Sequence, residues 1–250
     1  MRVAVMSPTF NERENIDKFL TRVRSVLPQA DVFIVDDDSP DGTGARVAEW
    51  ATRDSSFHLL SRRGSKGYAE ASREGLEVIA GQDYDAIVTI DCDLSHDPAE
   101  IPHMQQRITE GADVVIGSRY VRGGGVENWS LFRRLLSRWG NRYTAFMLGV
   151  RVRDCTSGFR VYRTDVIRSG VISATTSSGY AFLSEVLFRL RREQRFSIQE
   201  IPIIYRDRTS GESKMNKTII SESMRLVTKW GLARLLGRMQ ALNGPRSSGR

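Results

Sequence analysis

Asp91 and Asp93 flank a single residue at the end of the apolar run Ala86-Ile87-Val88-Thr89-Ile90. Alternate residues of an extended segment point the same way, so both carboxylates can face one ion. Hard oxygen donors of this kind suit Mg2+ or Mn2+. An ion held there would bridge a diphosphate and neutralise charge on a departing nucleotide, as in nucleotide-sugar chemistry. A bare Asp-x-Asp is also common in solvated loops. This one stands at a strand end, with a second acidic cluster, Asp36-Asp37-Asp38-Ser39-Pro40-Asp41, earlier in the chain. Carboxylates that close repel unless they are hydrogen-bonded or neutralised by a cation. A following helix N-terminus, where negative charge is favoured, accounts for Asp41. It does not account for Asp36 and Asp37, which close an apolar run.

Other segments add binding chemistry. Ser7-Pro8-Thr9-Phe10-Asn11-Glu12 follows the first apolar run. Phe10 offers a ring to a base, Glu12 offers an acceptor to a base or sugar hydroxyl, and Pro8 stiffens the turn. The plainer reading is a strand-to-helix turn capped by Asn11. No GxGxxG occurs there, which argues against an NAD-binding turn. Arg119, in Ile116-Gly117-Ser118-Arg119-Tyr120, falls on the same edge as the carboxylates. The segments Asp154 to Arg160, Tyr205 to Arg208 and Ser210 to Met215 place further Arg and Lys in Gly/Ser-rich loops suited to phosphate. Any single surface Arg is by default only solvated. His96 has no His partner and reads as a loop or capping residue. Cys92 reads as a packing residue or a backbone donor.

These residues need a frame. Short apolar runs at 2–6, 32–35, 57–60, 86–90 and 114–116 read as strands, and amphipathic runs at 12–26, 43–52, 69–80 and 98–109 as helices. Asp97 is placed to cap the last, with Pro98 at its first position. Such alternation predicts a mostly parallel sheet with helices on both faces, ligands lying beyond the strands' carboxyl ends. Gly123-Gly124-Gly125 reads as a flexible break. Beyond it, Phe132, Leu135, Leu136, Trp139, Tyr143, Phe146 and Met147 form a helical stripe, with Arg133, Arg134, Arg138 and Arg142 on the remaining face. A strand is expected at 196–205, a second basic amphipathic helix at about 215–242, and a disordered tail at 243–250.

The chain has 250 residues, 37 Lys and Arg, 30 Asp and Glu, and a net charge of +7. A basic balance favours anionic partners. Acidic residues dominate several segments before Glu100, and basic ones crowd the stretch after Arg119. Cys92 and Cys155 form no CxxC or Cys/His cluster, so neither a zinc site nor a disulfide framework is indicated. The opening Met1–Ser7 is too short for a signal peptide, and no apolar stretch reaches the length of a membrane span. The expectation is a cytoplasmic protein that can lie on a bilayer without crossing it.

The segments PTFNERENI, VDDDSPDGT, DCDLSHDPAEIP, GSRYVRGGGVENW, TSGFRVYR and SGESKM extend from about Ser7 to Met215. Together they resemble the family 2 glycosyltransferases of the GT-A fold, and more narrowly the dolichol-phosphate and polyprenyl-phosphate mannosyltransferases. The resemblance implies an α/β GT-A catalytic domain over 1–242, with amphipathic helices at about 131–148 and 215–242 facing a membrane. It implies inverting transfer of mannose from GDP-mannose to a polyprenyl monophosphate, with Mg2+ or Mn2+, on the cytoplasmic membrane face. It leaves room for a separate membrane-anchoring partner. Residue roles follow. Pro8, Phe10, Glu12, Val35 and Asp37 would hold the nucleoside. Asp91 and Cys92 would contact the nucleotide-sugar, and Asp93 would ligate the metal, with Asp91 a further candidate. Ser95 stands where relatives often carry a Gln ligand. Arg119, Arg206 and Lys214 would hold phosphates, and Arg119, Arg133 and Ser137 the acceptor phosphate. One departure stands out. Where relatives have a GLG-type loop, this chain reads Gly64-Ser65-Lys66-Gly67-Tyr68-Ala69, with bulky Tyr68 in place of a small residue. That bears on nucleotide or sugar preference.

Rival readings are kept open. Another donor such as UDP-glucose, or a soluble acceptor, would use the same first half. A nucleotidyltransferase should carry a Gly-rich loop where Pro8-Thr9-Phe10 stands. A nucleic-acid-binding protein would explain the charge but not the carboxylate clusters, so no nucleic acid partner is expected.

Overall fold

Four apolar runs pair as parallel strands: β1 (Val3–Thr9), β2 (Asp31–Asp36), β3 (Phe57–Ser61) and β4 (Ala86–Thr89). The residues of β1, β2 and β4 are buried almost without alternation, as expected of strands covered on both faces, while β3 at the sheet edge is mostly half-buried. The computed structural model describes residues 1–64, 67–207 and 217–237. Ser65 and Lys66 of the departing loop, Arg208, Lys214 and the rest of SGESKM, and the tail at 243–250 lie outside the described residues.

The helices following these strands are α1 (Ile16–Val26), α2 (Thr43–Arg53) and α3 (Tyr68–Ala80). A 3-10 turn (Pro98–Glu100) leads into α4 (Ile101–Thr109), and then comes β5 (Val114–Ser118). Asp97 caps that turn, accepting from the Ala99 amide at 3.0 Å. Beyond lie β6 (Gly125–Val126), α5 (Leu131–Leu148), β7 (Arg160–Arg163), α6 (Thr164–Arg168), α7 (Ala181–Glu193), β8 (Ile198–Pro202), β9 (Ile204–Tyr205) and α8 (Lys217–Leu235).

The main sheet runs β3-β2-β1-β4-β7-β5-β8, with β7 antiparallel between β4 and β5. Because both neighbours of β7 oppose it, β4 and β5 run the same way. Asp91 and Arg119 therefore leave the sheet at one edge, as expected. Helices cover both faces. Met6, Val35, Ile87, Ile116 and Tyr162 pack under α3, α6 and α7 on one side. Val5, Ile34, Val88, Val115 and Val161 pack under α1, α2 and α4 on the other.

The structure corrects several expectations. β1 extends to Thr9, so Ser7 and Pro8 belong to the strand, Pro8 opposite Val35. Asn11 has a left-handed backbone (φ 58°) and does not cap α1, whose cap position is Asn15. Gly123-Gly124-Gly125 is not a flexible break. A Cβ on Gly124 would lie 2.5 Å from the Ser118 carbonyl, and Gly125 opens a ribbon in which β6 pairs with β9. The stripe on α5 also divides. Met147 is buried with Leu148, Phe188, Val227 and Trp230 against α8, with Tyr143 packed beside them. Phe132, Leu135, Leu136, Trp139 and Phe146 are exposed.

Candidate active site

A cavity of about 210 Å³ opens where β1, β2 and β4 end. Pro8, Thr9, Phe10 and Glu12 line it from β1 and the turn after it, Asp37 from the end of β2, and Asp91, Cys92 and Asp93 from the loop after β4. Gly67, Tyr68 and Ala71 at the start of α3, with Tyr180 just before α7, complete it. Val35 is the exception among the nucleoside candidates. Its side chain is fully buried in the core under α3.

Protein donors satisfy Asp36, Asp37 and Asp41 of the acidic cluster after β2. Asp36, buried, accepts from the Thr9 hydroxyl at 2.9 Å and from the Ser39 amide and hydroxyl at 2.9 and 2.6 Å. Asp37 accepts from the Arg62 guanidinium and from the Gly67 amide at 2.7 Å. Arg62 also donates to Glu74 at 2.7 Å. Asp41 accepts from the amides of Arg13 and Thr43 and from the Thr43 hydroxyl. Burial opposes ionisation of Asp41, but these donors hold its carboxyl below the usual range. The cluster thus fixes the loops around the cavity and leaves Asp37 at its wall.

After β4 the chain turns through Leu94, at φ 59°. The Ser95 amide donates to Asp93 Oδ1 at 3.0 Å, and the Ser95 carbonyl accepts from the Arg206 amide at 3.0 Å. His96 is buried against the rings of Phe159 and Tyr205, and burial pushes its pKa down to about 4. It is neutral near pH 7 and packs the loop from behind. The donor set fits a divalent cation in part. Asp91 and Asp93 supply hard oxygens to one cavity, while among the described residues no group of three or more His, Cys, Asp or Glu forms a metal cage. An ion here would take its remaining ligands from water and from a bound diphosphate. Asp91 and Asp93 would hold it, and Ser95, buried, serves the Asp93 turn through its amide.

The cationic candidates among the described residues, Arg119, Arg133 and Arg206, lie beside this cavity, not in it. Arg119 is held by Asp154, Nε to Oδ2 and Nη2 to Oδ1 both at 2.7 Å, and donates to Thr156 at 2.7 Å. Burial alone would raise the Asp154 pKa and lower that of Arg119. Their mutual attraction overcomes this, holding Asp154 below and Arg119 above its usual range. The Arg119 guanidinium also lies near the rings of Tyr120, Trp129 and Tyr205. Arg133 stacks on Trp129 at 4.0 Å and pairs with Asp207 at 3.3 Å. Ser137 shares a 2.6 Å hydrogen bond with the Tyr120 hydroxyl. Arg119, Arg133 and Ser137 therefore gather around Tyr120 and Trp129 at the start of α5. Arg206 is drawn to Glu127 at 3.0 Å.

Tyr205 connects the two halves of the site. It packs on His96 and on Trp129, and burial first, then the charges of Asp93 and Asp91, raise its pKa. Sequence reasoning gave it no role, nor one to Thr9, Tyr180 or Asp154. No sequence signal marked Tyr180, since the helix it precedes was itself not legible. Asp154 and Tyr205 stood inside motifs already singled out, but their partners are far off in sequence.

The family model described as glycosyl transferase family 2 matches residues 4–170. Polyprenol monophosphomannose synthase of Mycolicibacterium smegmatis is 39% identical over 242 residues, covering 96% of this chain and 91% of the relative. Undecaprenyl-phosphate mannosyltransferase of Micrococcus luteus is 40% identical over 233 residues, covering 93% and 95%. Among solved structures, glucosyl-3-phosphoglycerate synthase from Mycobacterium tuberculosis, in complex with Mn2+, UDP and phosphoglyceric acid, superposes with a TM-score of 0.64 at 19% identity. That match covers 98% of this chain and 80% of the other and shows the fold alone. On these matches the chain belongs to glycosyl transferase family 2 and is a glycosyltransferase.

Proposed function

We propose that this enzyme transfers mannose from GDP-mannose to a polyprenyl monophosphate at a membrane surface, giving the β-linked product and GDP. The observation that carries the reading is one juxtaposition. A carboxylate-edged cavity stands beside an Arg-rich cluster at the foot of a helix whose apolar side chains are exposed. Phe132 is 74% and Trp139 58% exposed on α5, with Leu131, Leu135 and Leu136 beside them and Arg133, Arg134, Arg138 and Arg142 interspersed. Ile220, Leu232, Leu235 and Leu236 are exposed on or just past α8, which packs against α5. Apolar residues mixed with Arg make a surface suited to the headgroup boundary of a bilayer. No described helix is long and apolar enough to cross one. The two mannosyltransferase relatives support the same donor sugar and lipid acceptor.

In this reading Pro8, Phe10, Glu12 and Asp37 hold the nucleoside. A divalent cation bound at Asp91 and Asp93 would offset charge on the departing diphosphate. Arg133 and Ser137 position the acceptor phosphate, and Arg119, fixed by Asp154, shapes that pocket and adds positive potential. The cytoplasmic leaflet, rich in anionic lipid, suits the Arg-studded face of α5.

The test is incubation with labelled GDP-mannose or UDP-glucose, with and without a short polyprenyl phosphate, followed by organic extraction. Lipid-dependent label from GDP-mannose is expected. Label only from UDP-glucose overturns the donor, and transfer only to a water-soluble acceptor overturns the lipid.

A further inference from the structure

Tyr68 stands at the first position of α3, where the preceding Gly67 amide is held by Asp37. Its ring stacks on Tyr180, with centroids 4.8 Å apart and planes 23° apart. The hydroxyl reaches toward Gly158. A Cβ on Gly158 would lie 2.6 Å from the Tyr68 hydroxyl oxygen and 3.6 and 3.7 Å from the Asp91 carboxylate oxygens. The phenol therefore lines the cavity, its hydroxyl occupying the space that a side chain at 158 would fill, on the side of Asp91.

On the donor reading above, the cavity wall divides by chemistry. Pro8, Phe10, Glu12 and Asp37 take the nucleoside, and Asp91 with Asp93 takes the diphosphate. The wall left over is Thr9, Gly67, Tyr68, Ala71, Cys92 and Tyr180, of which only the two tyrosines carry rings, and the part of the donor left over is its sugar. A hexose offers an apolar C–H face to an aromatic ring and hydroxyls to a phenol, which both donates and accepts. We propose that Tyr68 is a specificity-determining residue that reads a hydroxyl of the donor sugar, with Tyr180 and Gly158 holding it in place. The inference rests on the donor assignment of the preceding section.

Calorimetric titration of the full-length enzyme with GDP and with GDP-mannose, both with Mn2+, separates the sugar from the nucleotide. Tyr68→Phe should leave GDP affinity within about twofold and weaken GDP-mannose about tenfold, the size of one lost hydrogen bond. Gly158→Ala, whose methyl displaces the hydroxyl, should reproduce that pattern. In turnover, the preference for GDP-mannose over at least one of its 2-, 3-, 4- and 6-deoxy analogues should fall in both variants, because a site that hydrogen-bonds a hydroxyl rejects analogues lacking it. Equal weakening of GDP and GDP-mannose in Tyr68→Phe would overturn the proposal, since the residue would then serve the nucleotide. So would unchanged GDP-mannose affinity in either variant. A wild type that binds neither compound overturns the donor assignment and this inference with it. A wild type that binds both, beside a Tyr68→Phe enzyme that behaves identically, overturns the inference alone.

Discussion

On the proposed function, the loss of the Asp93 carboxylate leaves diphosphate charge uncompensated. Asp93→Ala should fold normally and lose roughly a thousandfold in turnover, several kcal/mol of transition-state stabilisation. Near-wild-type rates in the variant, or indifference of the wild type to chelator, would contradict the metal assignment. Asp154 makes a different demand. It is fully buried and bound twice to Arg119. Asp154→Asn strands a buried guanidinium and should cost about 3–5 kcal/mol in denaturant unfolding. The pH sign follows from its lowered folded pKa. The stability it contributes is present above the unfolded value of about 3.9 and is lost as pH falls through the folded value. The gap between wild type and variant should thus hold from pH 8 to 5 and narrow below about pH 4. A gap that widens on acidification would mean the carboxylate is not the stabilised form. The two aspartates also show what was legible at this scale. The Asp91–Asp93 pair could be read because alternation along one strand end places both. The Arg119–Asp154 pair could not, because its partners are separated by 35 residues and meet only through folding.

At the scale of elements, what could be read was whatever carried a period. The parallel strands and α1 to α4 were legible because each is a short buried run or a one-sided helix. β7 was not. It has four residues, begins and ends with Arg, and runs against its neighbours. Arg160 looks like a strand breaker, yet it is fully buried and donates to the carbonyls of Ser157, Leu183 and Cys155. α7 was missed for the opposite reason. From Ala181 to Phe188 every residue is buried, so no polar face marks the helix. α5 was legible as a helix, but the sequence could not say which apolar residues meet α8 and which face outward. The crossing depends on Gly231, where a Cβ would lie 2.4 Å from the Met147 methyl. The outward set carries a prediction. The double variant Leu135→Ser, Trp139→Ser removes exposed apolar area while touching little of the core. It should keep the wild-type melting temperature within a few degrees and sediment far less with anionic vesicles. Wild-type binding should itself weaken as salt rises, since surface electrostatics are screened. Equal sedimentation of variant and wild type would move the membrane contact away from α5.

For the molecule as a whole, the arrangement poses an electrostatic problem and answers it by division of labour. On the proposed function, donor and acceptor both bring phosphate, and the site must hold two anions close enough to react. In that reading the carboxylate edge, with a divalent ion bound, would serve the donor, and the cluster of Arg119, Arg133, Ser137 and Tyr120 would serve the acceptor. Tyr205 and Trp129 pack between them. A polyprenyl phosphate, with a second pKa of about 6, is already a nucleophile near neutral pH, so positioning matters more than proton abstraction. In-line attack on the anomeric carbon from the acceptor side would convert the α-linked sugar of GDP-mannose into a β-linked product. Arg133 is the residue on which this division can be tested. It lies half exposed on α5, stacked on Trp129 and paired with Asp207, and lines no part of the donor cavity. Arg133→Ala should therefore raise the apparent KM for the lipid phosphate, by about tenfold for one lost charge-assisted contact, while the KM for GDP-mannose stays within twofold. Lys at this position should restore only part of the loss, because a point charge replaces a planar fork. NMR of the product should show the β linkage in both variants, since neither touches the reacting carbon. An α-linked product would overturn the inverting mechanism. An Arg133→Ala enzyme with unchanged acceptor kinetics would place the acceptor phosphate elsewhere on the basic face.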